Sequence, residues 1–433
     1  MKILTSFVCL VVLTTQVSAQ DVRMLAVGTP QEHRQPDLSA FELAAPTDNP
    51  SPPPRAFVGK DTYTYLRCHY RSDSRPNSTQ VKYEWATNAR GQWYRVNGYW
   101  YSGSLLEWRN MFYTTTEQAE LRQACADSLK RKGIRTELVD ISGADTASSF
   151  NHTLWTQAKP GGSQRTERII VFGDSLSDTH NLNNLTRGLA PNAGSWFLGR
   201  FSNGPVWPEY LGKDVGLTVY NWAVAGAAAD QKLVIPGFTQ QVDSWISMMR
   251  SAKNYDPGQS LFYLLIGVND LINYDRTPDQ SLASMEEGLR KLLGAGARKI
   301  VISNLPDAAR TPAFRIRRDG AAMAARIDEF NARLPQLVDK LEAEYPNTMA
   351  LFDANTFFKR ILDAPEQAGF SDTEQSCLRI DNDSSLNYAR NHDRRADCTA
   401  DGFVFWDTLH PTTRMHQKIG QAMQEATPAA WLQ

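Results

Sequence analysis

Short apolar runs alternate with amphipathic stretches along the C-terminal two thirds of the chain. The runs rich in β-branched and aromatic residues predict buried strands, namely RIIVFG, LTVYNWAV, SLFYLLIG, RKIVISNL and, more weakly, TMALFDA. Between and after them, stretches such as SLASMEEGLRKLLGAG and PTTRMHQKIGQAMQEA repeat their apolar positions with the period of a helix. This alternation predicts an α/β domain over residues 168–433, with a mostly parallel sheet covered by helices on both faces.

The preceding part of the chain has a different pattern. Aromatic residues alternate with polar ones in TYTYLRCHYR, VKYEWATN and GQWYRVNGYWY, and the intervening NARG and VNG predict hairpins. A helical stretch then ends at Gly133. We therefore predict a small aromatic-rich α/β domain over residues 57–142. An extended proline-rich segment over residues 20–56 precedes it, and a Ser/Gly/Thr-rich linker over residues 143–167 follows it.

The N-terminus has the pattern of a secretory signal peptide. A lysine precedes a short apolar core, and small residues up to Ala19 predict cleavage after residues 1–19. We therefore expect a secreted, extracellular protein, the alternative being a retained membrane anchor. No later stretch approaches the roughly 20 apolar residues that a spanning helix needs.

Composition narrows the partners and cofactors. The net charge of −1 argues against nucleic-acid binding, which leaves a basic footprint. Cys68, Cys125, Cys377 and Cys398 remain after the signal peptide, and an even count in an exported chain favours disulfides. Sequence alone leaves the pairing open, but the domain division favours Cys68 with Cys125 and Cys377 with Cys398. Their spacing matches no zinc pattern, so we expect no metal and no cofactor.

The first predicted strand of the larger domain ends in a chemically suggestive way. In RIIVFGDSLSDT, Gly173 predicts a sharp turn, and Ser175 comes directly after it. Open α/β sheets bind ligands at the carboxyl ends of their strands. Ser175 is therefore a candidate nucleophile, provided that the chain supplies a base.

Of seven histidines, His410 fits the role of a base best. Asp407 precedes it by three residues in FWDTLHPTT, so the carboxylate can accept a hydrogen bond from Nδ1 and leave Nε2 for a serine. Taken alone, this spacing is also that of a surface turn. The others lie in segments that suit catalysis less well: His33, His69, His152, His180, His392 and His416.

Acyl transfer also needs donors for a developing oxyanion. Gly226 follows a predicted strand in NWAVAGA, and Asn269 follows the next strand in LLIGVND. Each has an ordinary alternative, because a glycine can serve close packing and an asparagine can cap a helix. All these residues at strand ends of one domain are difficult to ascribe to coincidence.

These blocks resemble a known family. FGDSLSD, NWAVAGA, GVND and DTLHPT, in this order, are similar to the motifs of the GDSL/SGNH hydrolases over residues 168–430. The resemblance implies a three-layer α/β/α sandwich. It implies Ser175 as nucleophile, His410 as base and Asp407 as its orienting group. The oxyanion donors would be the N–H groups of Ser175 and Gly226 and the amide of Asn269.

A narrower resemblance concerns the substrate. GRFSNGPVWPEYLG and the aromatic domain are similar to the bacterial thermolabile haemolysins, which resemble phospholipase A and glycerophospholipid:cholesterol acyltransferase enzymes. This implies a serine esterase acting on a phospholipid membrane or lipid aggregate, with cholesterol as a candidate acyl acceptor. We predict that Phe201 and Trp207 of this loop line an acyl pocket; the alternative is ordinary loop packing.

Two other functions stay open at this point. One is a carbohydrate or short-chain acyl esterase with the same catalytic residues. The other is a surface- or membrane-binding protein that uses its aromatic N-terminal domain, although stacking of the rings in a small core explains them equally well. The charged segment between Cys377 and Cys398 is likewise a lid, a proteolytic switch or a solvated loop.

Overall fold

A computed structural model describes residues 62–75, 78–101, 111–147, 149–157, 166–399 and 401–432. The predicted signal peptide and proline-rich segment lie outside these residues. The described residues divide into two compact units, one within residues 62–157 and one within residues 166–432. No helix among them is long and apolar enough to cross a membrane.

The N-terminal unit is a sheet with one helix. Its elements are β1 (Thr62–Arg71), β2 (Val81–Trp85), β3 (Arg95–Trp100), β4 (Met111–Glu117), α1 (Gln118–Arg131), β5 (Leu138–Ala144) and β6 (Thr153–Gln157). Strand β1 pairs antiparallel with β2, β3 and β5. Helix α1 buries Leu121 and Leu129 in the core of this unit, and the Cys68–Cys125 disulfide ties α1 to β1.

The aromatic residues of this unit contact one another. Tyr65 and Trp85 are buried, with their rings 6.4 Å apart and edge to face, and Tyr83 meets Trp85 in the same way at 5.7 Å. Such pairs favour edge-to-face geometry because the ring face is negative and the ring edge positive. Packing inside the unit therefore accounts for these rings.

The N-terminal unit extends further than we predicted. Strand β6 lies within the predicted linker over residues 143–167, where it pairs in parallel with β4. Leu154 and Trp155 of β6 are buried. A five-residue strand between Ser- and Gly-rich stretches gives too weak a local pattern, because the partner strand supplies its hydrogen bonds.

The C-terminal unit contains the predicted parallel sheet. Its strands are β7 (Arg168–Gly173), β8 (Thr218–Asn221), β9 (Ser260–Leu265), β10 (Ile300–Ser303) and β11 (Met349–Phe352), in the order β11-β10-β9-β7-β8. All four neighbouring pairs are parallel, and each of the five predicted runs contains one of the strands.

Helices surround this sheet and a second, smaller one. The helices are α2 (Asn181–Leu185), α3 (Trp207–Val215), α4 (Phe238–Met249), α5 (Val268–Ile272), α6 (Pro278–Gly294), α7 (Pro312–Arg317), α8 (Gly320–Glu344), α9 (Ala354–Asp363) and α10 (Thr413–Ala426). The smaller sheet pairs β12 (Asp372–Ser376) with β13 (Phe403–Phe405).

Both faces of the parallel sheet are covered. Ile169 and Val171 of β7 belong to a core cluster with side chains of α3, α9 and α10. Phe172 points to the other face, where its ring lies 5.7 Å from that of Phe238 and 6.3 Å from that of Trp245, both in α4. Because alternate residues of one strand pack on opposite layers, the unit is the predicted α/β/α sandwich.

The end of β7 positions the site. Gly173 does not have the positive φ of a left-handed turn; instead, a Cβ there would lie 2.6 Å from the carbonyl oxygen of Leu265 in β9. The glycine is thus required by close approach between neighbouring strands rather than by the turn that we predicted. Strand β7 lies between β8 and β9, where the strand order reverses, and such switch points form the ligand crevice of open α/β sheets.

Candidate active site

The turn after β7 carries Ser175. Asp174 and Asp178 stabilise this turn, since the Asp174 carboxylate accepts the Leu176 N–H at 3.0 Å. The Asp178 carboxylate accepts backbone N–H groups at the start of α2, from His180 (2.8 Å) to Leu182 (3.0 Å). It also accepts the N–H of Ala225, at 2.9 Å, and so ties the serine turn to the loop after β8.

A histidine and a carboxylate face this serine from the loop after β13. His410 Nε2 lies 2.8 Å from Ser175 Oγ. His410 Nδ1 lies 2.9 Å from each carboxylate oxygen of Asp407. The three side chains form the continuous hydrogen-bonded chain that general-base activation of a serine requires.

Asp407 is held in its charged form despite complete burial. Burial by itself raises its pKa, but the His410 charge, the His410 hydrogen bond and further N–H donors outweigh burial, so the pKa of Asp407 is lowered. The backbone N–H groups of Leu409 and His410 and the indole Nε1 of Trp196 each donate to it at 2.9 Å. No sequence pattern predicts this role for Trp196, which lies 211 residues from Asp407.

Candidate oxyanion donors line the same cavity as Ser175 and His410. In the part of the chain that the structure describes, neither the Ser175 N–H nor the Gly226 N–H has a hydrogen-bond partner. Gly226 has a φ of +83°, and a Cβ there would be 4.0 Å from its nearest neighbour, so conformation rather than crowding requires the glycine. The Asn269 amide donates to the Ala227 carbonyl at 3.0 Å, which leaves its second proton for a ligand.

The cavity in front of Ser175 has a volume of about 100 Å³. Much of its wall is apolar and comes from Leu182, Phe201, Ile235, Ile272, Phe314 and Leu409. The Phe201 ring lies 4.8 Å from the His410 ring, as expected for a residue that helps to shape the pocket. Such a wall suits an apolar group next to the nucleophile.

Trp207 does not line this cavity, and our prediction of substrate binding by this residue is wrong. It is fully buried at the start of α3, with its ring 5.6 Å from that of Tyr263 in the sheet. Its indole N–H donates to Ser177 Oγ at 3.1 Å. Trp207 therefore stabilises the turn that carries Ser175. It does not reach the cavity, because it lies on the apolar face of α3, which packs into the core.

The segment between Cys377 and Cys398 contributes to the cavity wall. The two cysteines are bonded, as are Cys68 and Cys125, so both favoured pairings are present. Tyr388 of this segment places its hydroxyl 3.5 Å from His410 Nδ1, and burial raises its pKa well above the usual value. The segment is therefore more than a solvated loop.

Comparison with known proteins identifies the family. Residues 169–423 match the model of the GDSL-like Lipase/Acylhydrolase family. The chain belongs to the GDSL-like lipase/acylhydrolase family. It is therefore an ester-hydrolysing enzyme. Residues 35–157 match the model described as Vibrio dual lipase/transferase, N-terminal domain.

Individual relatives of this GDSL-like enzyme agree with the narrower resemblance. A thermolabile hemolysin of Vibrio parahaemolyticus is 38% identical over 378 residues, covering 84% of this chain and 88% of the relative. A phosphatidylcholine-sterol acyltransferase of Aeromonas hydrophila is 28% identical, covering 59% of this chain and 88% of the relative. An acetylesterase of Thermothelomyces thermophilus is 26% identical, covering 60% and 88%. The predicted relation to haemolysins and acyltransferases is confirmed.

The described residues offer no alternative centre based on a metal. Within them, no group of three or more His, Cys, Asp or Glu side chains is arranged to hold a metal ion. The chemistry available at the site is that of a serine with a base and oriented N–H donors.

Proposed function

We propose that this enzyme hydrolyses acyl ester bonds of glycerophospholipids through Ser175. The observation that carries the proposal is the contact of 2.8 Å between Ser175 Oγ and His410 Nε2 at the wall of an apolar cavity. The haemolysin and the phosphatidylcholine-sterol acyltransferase among the relatives support a lipid substrate.

In the first half-reaction, Ser175 Oγ attacks the ester carbonyl carbon while His410 Nε2 takes the hydroxyl proton. Asp407 accepts the hydrogen bond from Nδ1 and stabilises the imidazolium. The N–H groups of Ser175 and Gly226 and the Asn269 amide face the developing oxyanion. Removal of one such donor typically costs about 10²–10³ in rate. His410 then returns its proton to the leaving lysophospholipid oxygen, which leaves an acyl-serine.

In the second half-reaction, an acceptor hydroxyl replaces the lysophospholipid. His410 takes its proton, the acceptor oxygen attacks the acyl-serine, and Ser175 leaves with that proton returned. Water as acceptor gives a free fatty acid, and a sterol hydroxyl such as that of cholesterol gives a sterol ester. The acyltransferase relative supports the second course as a side activity.

We also propose that the protein acts outside the cell. The two disulfides support this, because disulfides persist in oxidising compartments and are rare in the cytosol.

The test is fatty acid release from phosphatidylcholine vesicles, with and without cholesterol. Ser175→Ala removes the nucleophile, so release is expected to fall on the order of 10⁵–10⁶-fold. Ser371→Ala, an exposed serine outside the cavity wall, is the matched control and keeps full activity. Cholesteryl ester formed by wild type would add acyl transfer.

Other outcomes separate the alternatives. If wild type leaves vesicles intact yet cleaves a short-chain ester through Ser175, the phospholipid assignment is wrong and a short-chain esterase remains. If it binds vesicles tightly and cleaves neither substrate, the surface-binding function is favoured.

A further inference from the structure

The cavity wall contains an ion pair that the acyl-transfer mechanism does not use. Arg317, the last residue of α7, directs Nε to the Asp383 carboxylate at 2.6 Å. Both residues line the cavity with Ser175, and Asp383 belongs to the segment between Cys377 and Cys398. The two side chains are 16% and 32% exposed, which places them where the cavity meets solvent.

The geometry of the pair leaves most of its hydrogen-bonding capacity free. The Arg317 guanidinium lies over the Phe314 ring, 5.1 Å from its centroid, and Nε donates to Asp383; among the described residues, its two Nη groups have no hydrogen-bond partner. The Oδ1 oxygen of Asp383 is equally without a partner among the described residues. A pair built for stability usually makes the bidentate contact that the arginine fork allows.

The stability of the fold does not explain this pair either. Partly exposed ion pairs contribute roughly 0–1 kcal/mol. In an apolar ligand cavity, a small number of polar groups commonly fix the orientation of the ligand. A cation and a carboxylate side by side present both signs of charge to one ligand.

We propose that Arg317 and Asp383 recognise the headgroup of a zwitterionic glycerophospholipid. The free Nη groups of Arg317 bind the phosphodiester, for which the planar guanidinium is suited. Asp383 faces the positively charged ammonium group, and the ring of Tyr388 in the same wall adds cation–π attraction. The Phe314 ring supports the Arg317 guanidinium instead. The inference rests on the proposed phospholipid activity and adds the headgroup class to it.

The neighbouring ion pair provides a matched control. Arg315 lies on the same helix, α7, and pairs with Glu374 at 3.1 Å, but neither residue lines the cavity of Ser175. Arg315→Gln therefore removes one arginine and one ion pair from α7 without touching the proposed headgroup site.

The experiment compares kcat/KM for three substrates presented as monomers: a short-chain phosphatidylcholine, the matching phosphatidylglycerol and p-nitrophenyl butyrate, which has no headgroup. Loss of a hydrogen-bonded charge predicts that Arg317→Gln lowers kcat/KM for both phospholipids about tenfold or more relative to kcat/KM for p-nitrophenyl butyrate. Asp383→Asn lowers it for phosphatidylcholine and not for phosphatidylglycerol, which lacks the ammonium. Arg315→Gln changes none of the three.

Three results would overturn the inference. If Arg317→Gln and Asp383→Asn lower kcat/KM equally for all three substrates, the pair serves only to connect α7 with the disulfide-bounded segment. If neither variant changes kcat/KM for either phospholipid, the headgroup site lies elsewhere. If wild type cleaves p-nitrophenyl butyrate through Ser175 but neither phospholipid, the proposed function fails first and the headgroup site falls with it.

Discussion

Asp174 and Asp407 are two buried carboxylates of the active site, and their pKa values are shifted in opposite directions. Asp407 is 0% exposed and Asp174 is 1% exposed, so burial is the same for both. Asp407 accepts the N–H groups of Leu409, His410 and Trp196 and faces the His410 ring. The Asp174 carboxylate has fewer donors, which are the backbone N–H groups of Leu176 and of Asp174 itself.

The pKa values follow the donors rather than the burial. Burial raises the pKa of Asp174 to about 7, because two backbone hydrogen bonds and the His410 charge do not compensate for it and the negative charge of Asp270 adds to the rise. The same burial at Asp407 is outweighed by His410 and the surrounding donors, and its pKa is lowered. A buried carboxylate beside a nucleophile thus stays ionised and orients the base where several groups donate to it. Where few groups donate, its pKa rises and it serves to hold the turn.

Among changes at these two carboxylates and their donors, the largest effect is expected from Asp407→Asn. An amide in this place can donate to His410 Nδ1 and so favours the tautomer that cannot accept the Ser175 proton, which predicts a fall in kcat of about 10⁴-fold. Steady-state hydrolysis of a soluble ester measures it. Asp256→Asn, an exposed carboxylate that caps a turn through the Gly258 N–H, is the control. A fall of less than about tenfold would mean that Asp407 does not set the tautomer.

A second effect concerns stability at Asp174. A raised pKa means that the folded state binds the proton more tightly than the unfolded state. The stabilisation is therefore complete below the ordinary carboxyl pKa near 4 and is lost as the pH rises through about 7. Relative to Asp174→Asn, wild type is expected to lose on the order of 4 kcal/mol of unfolding free energy across this window.

Urea unfolding of both proteins at about pH 4.5 and about pH 8, near the lower end of this window and above its upper end, measures the change in unfolding free energy. A constant gap between wild type and Asp174→Asn at the two pH values would show that Asp174 is as ionised in the folded protein as in the unfolded chain.

The smallest effect is expected from Trp196→Phe. It removes one donor to Asp407 while retaining an aromatic ring, so the pKa of Asp407 rises and kcat falls about tenfold or less. The acid limb of the kcat/KM profile should move to higher pH. Trp85→Phe, a buried tryptophan of the N-terminal unit, controls for loss of an indole. Superimposable profiles for Trp196→Phe and wild type would assign Trp196 to packing alone.

The sequence predicted the elements whose signals are local. The five strand runs and the positions of Ser175 and His410 follow from periodicity, spacing and motif resemblance, and the Cys pairings follow from the domain division. Strand β6 was missed because its five residues have too weak a local pattern, and the pairing with β4 is what stabilises the strand.

For the residues that were missed or misassigned, the role depends on where the side chain points in the folded protein. Trp207 begins a helix, and sequence does not say whether its ring faces the cavity or the core. Trp196, Arg317 and Asp383 reach the site from loops or helix ends without any periodic pattern. The direction of the Asp174 pKa shift likewise depends on the number of hydrogen-bond donors around the carboxylate, which the sequence does not reveal.

The separation of Ser175 and His410 has a practical consequence. The two residues are 235 positions apart and meet at 2.8 Å through the folded sheet. Contacts between such distant parts of a chain form late, since the entropy of closing the intervening loop must be overcome first. A fluorophosphonate reacts with the activated serine. It would therefore label the molecules in which His410 has already reached Ser175. It would distinguish them from molecules that have merely become compact.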